Sequence, residues 1–120
     1  VTAQVRAALG ESADVVFDCV AVRPTTLAAI GMALKGGTVV IVGVPAADFE
    51  LPIRIMQDQQ IRVQGSATYV PQDFAIAIEM IQSGAVRAED FITGQFPLEQ
   101  AEQAFNASMS GDHIKVLIHP

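Results

Sequence analysis

The chain has one cysteine, one tyrosine, two histidines and no tryptophan in 120 residues. A single cysteine excludes an internal disulfide, which fits a reducing compartment, and the expectation is a cytoplasmic protein. His113 and His119 are six positions apart, not the three or four that would align a metal pair on one helix face. No third ligand follows nearby, so both read as surface residues. Basic residues are also scarce: seven Lys and Arg against thirteen acids give a net charge of −6. They are scattered as well, which excludes a sequence-independent grip on nucleic acid. No apolar run approaches the roughly 18 residues that cross a bilayer. No charged-then-apolar leader opens the chain, so no signal peptide is expected. There is no short repeat or low-complexity segment, and no Ser/His/Asp or Cys/His set that would mark a nucleophile. The pair Glu99 and Glu102 reads as a solvated helix face.

What is present is apolar. Hydrophobic residues make up 51% of the chain, enough to bury a core of about two thirds of the unfolded surface. The stretch from Gly36 to Pro45 organises the rest. Two glycines precede Thr38-Val39-Val40-Ile41-Val42, and Gly43 and Pro45 follow. A short apolar run between turn signals predicts a strand buried on both faces, the usual state of a parallel sheet under helices. Ala13 to Val20, ADVVFDCV, predicts a second such strand. Between them Pro24 suits a first helical turn, and Leu27, Ile30, Gly31 and Leu34 recur at helix spacing. Gly31 is expected to let that helix approach the sheet, and Gly36 to cap it with positive φ. Residues 13–43 therefore read as a right-handed βαβ unit with parallel strands.

On either side, Val1 to Leu9 has helix spacing stopped by Gly10, and Ala46 to Gln60 is a connection with a weak helical pattern. Ile61 to Gly65 alternates apolar and polar residues, as an edge strand does. Pro71 opens a helix with Asp73 in its first turn and an apolar stripe of Phe74, Ala77, Ile78 and Ile81. A short strand is predicted at Phe91–Phe96 and a helix at Leu98–Met109, with Leu98, Ala101, Phe105 and Met109 on one side. Ile114–Ile118 is the last strand. No linker divides the chain, although the pattern after Pro71 suits a separate layer. The chain opens without methionine, partway through an element, and a piece of a longer protein is expected.

Four stretches are recognisable together: ADVVFDCV, LKGGTVVIVGVP, IRVQGSATYVPQDFAIAIEMIQSGAV and ITGQFPLEQAEQAFNASMSGDHIKVLI. In this order and spacing they resemble the C-terminal part of the medium-chain dehydrogenase/reductase superfamily, the zinc-containing alcohol dehydrogenases. The resemblance covers nearly the whole chain. It implies an α/β fold: residues 1–67 as the second half of a Rossmann-type doubly wound parallel sheet, and residues 68–120 as a segment returning to the catalytic domain. It also implies a hydride passed between an alcohol or polyol and NAD or NADP. In such proteins a zinc ion polarises the alcohol oxygen. No G-x-G-x-x-G is formed by the nine glycines. The pyrophosphate loop and the zinc ligands are therefore expected upstream, and this segment alone is expected to be inactive.

The same resemblance assigns candidate cofactor positions, each with a plainer alternative. Val42, Gly43 and Val44 match a strand end whose main chain bonds the nicotinamide carboxamide; alternatively Gly43 only starts a turn. Gly65, Ser66 and Ala67 match the next strand end, against the same ring, or form a small-residue turn. Cys19 and Val20 match positions flanking the adenosine, although a lone cysteine in an apolar run is commonly a small core residue. Ala21 stands where many relatives carry glycine. Lys115 matches a basic position that reaches the pyrophosphate, or is a solvated lysine. Asp18 reads as structural, because the ribose-binding acid belongs on an earlier strand. No catalytic residue and no metal ligand is assigned here.

Other classes stay open on these residues. A zinc-free quinone oxidoreductase of the same superfamily differs only upstream. An S-adenosylmethionine-dependent methyltransferase could share LKGGTVVIVG, but leaves ITGQFPLEQAEQAF and IKVLI unexplained. A non-catalytic interaction module is the third. A small-molecule alcohol substrate and a homodimer or homotetramer are expected for the full protein, with Ile61 to Gly65 as the pairing edge.

Overall fold

The computed structural model describes all 120 residues and divides into two compact units, Val1–Thr68 and Tyr69–Pro120. The first unit runs α1 (Thr2–Leu9), β1 (Ala13–Asp18), α2 (Arg23–Met32), β2 (Ala33–Ile41), α3 (Ile53–Asp58) and β3 (Arg62–Gly65). Its three strands are parallel in the order β1-β2-β3. Val16, Val39 and Val63 are register partners and share the face against which α2 lies. There Ala29, Ile30, Ala33, Val39 and Ile61 form the buried core, with Val16, Ile41, Leu51, Met56 and Val63 packed around it. Val39 is completely buried.

The other face differs from the expectation of a doubly covered strand. Val40 is half-buried, and Val15 and Phe17 are 47% and 65% exposed. The reason is geometric: α2 and the segment around α3 pack with the core of one face only. The edge position of β3 agrees with its alternation.

The exit from α2 also departs from the sequence reading. The helix ends at Met32, so Leu34 and Gly36 lie on β2, beyond the helix. From Ala33 to Thr38 the strand bulges while its partner advances only from Ala13 to Val15. Gly36 does take positive φ, at 81°, but inside that bulge, where its N–H donates to Gln59 O. Gly31 does not face the sheet. It is exposed and lies beside Thr2 of α1, and its carbonyl accepts from the Arg6 guanidinium at 2.8 Å.

The second unit runs α4 (Pro71–Gln82), a tight helical turn at Ala88–Asp90, β4 (Ile92–Pro97), a second such turn at Leu98–Gln100, α5 (Ala101–Ser110) and β5 (Lys115–His119). β4 and β5 are parallel and α5 is the crossover between them. Asp73 caps α4 by accepting the Val70 N–H at 2.8 Å. No residue of α4 is buried, so the predicted stripe of Phe74, Ala77, Ile78 and Ile81 is not covered within this chain. On α5 the packed residues are Ala104 with Ala101 and Ala107 beside it, whereas Phe105 and Met109 are exposed, as is Leu98 in the turn before the helix. Small side chains let α5 sit close on its two strands, and the bulky face turns outward. His113 is not a free surface residue either: its Nδ1–H donates to the Thr93 carbonyl at 3.0 Å, and its ring covers Gly94.

Gly37 offers a check on the bulge. A Cβ there would stand 2.9 Å from Leu34 O and 3.0 Å from Asp14 O, both main-chain atoms of the strand pair. Gly37→Ala should lower the stability of the intact protein by about 1–3 kcal/mol. Gly36→Ala, with open space around its Cβ, should cost only its left-handed φ, about 1–2 kcal/mol. Denaturant midpoints read both.

Candidate functional site at the strand tips

All three strands of the first unit stop level with one another. Asp18, Ile41 and Gly65 are the last residues of β1, β2 and β3, and Ile41 is the register partner of both others. Their exits lie side by side, at the carboxyl edge where open α/β sheets receive ligands. The main chain ties the exits together. Asp18 O accepts from Val42 N at 2.9 Å and Gly43 N at 3.0 Å, and Ile41 O accepts from Ser66 N at 2.9 Å.

The Asp18 side chain fixes the first exit. It is 5% exposed, and its carboxylate receives four hydrogen bonds. Oδ1 accepts the N–H groups of Val20 and Ala21, at 3.1 and 2.9 Å. Oδ2 accepts the hydroxyls of Thr25 and Thr26, at 3.1 and 2.7 Å. Burial pushes the carboxyl pKa up, and the bonds from Thr26, Ala21, Val20 and Thr25 together outweigh it, so the value is held below the ordinary 3.8. Thr25 also accepts the Val22 N–H at 3.2 Å, closing the first turn of α2. In this turn Ala21 is buried and takes φ 58°, a left-handed value that glycine adopts more readily.

The structure brings two groups of predicted positions together. Val42, Gly43, Val44, Gly65, Ser66 and Ala67 line one cavity of about 360 Å³, with Ile41, Pro45 and Thr68 at its margin. Val42 and Gly43 N–H are already engaged by Asp18 O. The Val44 N–H and the carbonyls of Val42 and Gly43 make no bond within the chain and are the main-chain groups left for a ligand. Gly43 is glycine for a reason the sequence did not show. A Cβ on it would stand 2.4 Å from Val20 C and 2.8 Å from Ala21 N, so it packs against the neighbouring exit itself. Gly65 is the opposite case, because a Cβ there would meet nothing within 4 Å.

Cys19 and Val20 line a separate apolar cavity of about 520 Å³ beside β1, shared with Phe17, Thr25 and Met32. Cys19 is exposed in this chain. Both residues lie just past the end of β1, which stops at Asp18. Lys115 opens β5 in the second unit, exposed and in register with Ile92. No group of three or more His, Cys, Asp or Glu side chains stands close enough to hold a metal ion. No helix is long and apolar enough to cross a membrane. Thr25 and Thr26 are not among the positions the sequence marks, although a Thr-Thr pair just after Pro24 is the kind of hydroxyl-rich helix start that can anchor a preceding acid.

Comparisons with known proteins agree with this geometry. A family model described as zinc-binding dehydrogenase matches residues 1–83. A probable D-xylulose reductase A of Aspergillus terreus is 36% identical over 110 residues, covering 92% of this chain and 31% of that protein. The chain thus spans about a third of the length of the curated relatives it matches. Among solved structures, 2R,3R-butanediol dehydrogenase from Bacillus subtilis superposes with TM-score 0.87 at 23% identity, over all of this chain and 35% of that one. A protein from Sinorhizobium meliloti, solved bound to NADP, superposes with TM-score 0.78 at 28% identity, over 91% of this chain and 32% of that one.

Asp18 also gives the site an acid limit. Its stabilising contribution is complete above the unfolded pKa and is lost as pH falls through the depressed folded value. Asp18→Asn should cost about 1–2 kcal/mol at neutral pH. The gap between wild type and variant should be constant above about pH 5 and narrow as pH drops through 3.8. Thermal melts of the intact protein across that range measure it.

Proposed function

We propose a cofactor-holding role from one premise: this chain belongs to the zinc-binding dehydrogenase family. In the full protein the first unit carries half of the NAD(P) site of an alcohol or polyol dehydrogenase. When bound, the nicotinamide supplies the hydride chemistry, and the protein supplies position and electrostatics. The observation that carries the reading is the flush set of strand exits with unbonded main-chain groups beside a 360 Å³ cavity. A carboxamide offers one acceptor and a pair of donors. The Val44 N–H and the Val42 or Gly43 carbonyl are complementary to it, at fixed backbone positions that need no side-chain ordering. Gly65, Ser66 and Ala67 keep the opposite wall low enough for a flat ring. Cys19 and Val20 flank the adenosine, and Lys115 meets the pyrophosphate as a point charge.

Alcohol or polyol substrates, a zinc ion held by residues outside this chain, and a homodimer or homotetramer complete the reading. Family membership removes the methyltransferase alternative. The reductase name of the Aspergillus relative favours the polyol side of the substrate range.

Gly43 is a poor probe, since any side chain there strikes Val20 whether or not a ligand binds. Gly65 is a clean one. Gly65→Leu in the intact protein should raise the Kd for NADH or NADPH at least tenfold, about 1.4 kcal/mol, with little change in melting temperature. An unchanged Kd by fluorescence titration would remove this cavity from the cofactor site.

A further inference from the structure

The two strand exits that face the ligand edge are mechanically one object, and a single residue joins them. The main-chain carbonyl of Asp18 accepts from Val42 and Gly43 on the β2 exit. The carboxylate of the same residue accepts from Val20 and Ala21 on its own exit. The Val20–Ala21 peptide in turn lies against Gly43, so closely that a Cβ would fall 2.4 Å from Val20 C and 2.7 Å from Val20 O. The loop of contacts therefore closes: carboxylate to peptide, peptide to Gly43, Gly43 N–H back to Asp18 O. The carboxylate end of the loop is shielded from solvent, Asp18 being 5% exposed and Ala21 1%, while Val20 and Gly43 form its more open side.

Resting on the cofactor reading above, we propose that Asp18 is a positioning residue that holds the Cys19–Val20 exit and the Val42–Val44 exit in one fixed relation. It borders the cavity beside β1 but not the cavity of the second exit. Its carboxylate sets the direction of the Val20–Ala21 peptide, and that peptide sets how far Gly43 can move. Without the carboxylate, the Val20 and Ala21 N–H groups lose their acceptor and turn toward water. Gly43 then loses the surface it rests on. The Val42 and Gly43 carbonyls, together with the Val44 N–H, then move away from their places beside the cavity. Both ends of a bound dinucleotide would feel this, because the two exits belong to its two ends.

Thr26 separates positioning from plain stability. It is 1% exposed and donates to Oδ2 at 2.7 Å, but bonds neither exit. Thr26→Val removes a buried partner of the same carboxylate and leaves Oδ1 with Val20 and Ala21. Three variants of the intact protein, Asp18→Ala, Thr26→Val and Gly65→Leu, are compared by melting temperature, amide hydrogen exchange and Kd for whichever of NADH and NADPH binds more tightly. Asp18→Ala should speed exchange at Val42 and Gly43 at least tenfold and raise Kd at least tenfold, with the amides of β5 unchanged. Thr26→Val should lower the melting temperature while leaving Kd within twofold. Should Asp18→Ala not fold, Asp18→Asn is read in the same way, with at least threefold changes expected. Unchanged exchange at Val42 and Gly43 overturns the proposal, as does a Kd that follows melting temperature equally in the Asp18 and Thr26 variants. If exchange responds but Gly65→Leu leaves Kd unaltered, the positioning role stands and the cofactor reading is what fails.

Discussion

Everything at the carboxyl edge of the sheet depends on how the Asp18 carboxylate is satisfied. An ionised carboxylate that is 5% exposed is costly unless its lone pairs are met. Here two amides and two hydroxyls meet them, all drawn from the eight residues that follow. Satisfying the charge thus dictates the path of the chain from β1 into α2, including the left-handed Ala21. That path places the Val20–Ala21 peptide where only a glycine can pass, and Gly43 is that glycine. The requirement travels from a buried charge to a turn, from the turn to the neighbouring strand exit, and from there to the shape of the cavity.

The sheet explains why so local a network can act at a distance. Parallel register makes Asp18, Ile41 and Gly65 neighbours although more than twenty residues separate each from the next in the chain. Main-chain bonds from Val42, Gly43 and Ser66 continue the ladder one step past the strands before the exits diverge. The cavity is lined by Gly43, Gly65, Ser66 and Ala67 together with Pro45 and the β-branched Ile41, Val42, Val44 and Thr68, so its geometry has few rotamers to lose.

The second unit repeats the strand-helix-strand principle with different packing chemistry. Ala101, Ala104 and Ala107 bring α5 close to β4 and β5, and the Thr93–His113 contact fixes where β5 begins. Large apolar residues lie on the outward faces, Phe105 at 66% and Met109 at 76% exposure. Together with α4 and with Phe17 on β1, they are apolar surface that this chain does not itself cover.

Sequence alone determined the main helices and strands, their order and the parallel pairing of β1 with β2, because hydrophobic period and turn residues are local signals that survive without context; the pairing of β4 with β5 came from the structure. It also determined the family, since four ordered stretches carry more information than any one of them. Val42 to Val44 and Gly65 to Ala67 were legible as strand ends for the same reason. Tertiary structure decided which faces are buried, and it chose Ala104 over Phe105 and one side of the sheet over the other. Periodicity marks an apolar stripe without saying what meets it. Tertiary structure also decided the reasons behind residues: Gly43 yields to a peptide more than twenty positions away, Gly36 serves a bulge and not a helix end, and Asp18 is the joint between two exits. Those reasons lie in distances between segments remote in sequence, and such distances exist only once the chain has folded.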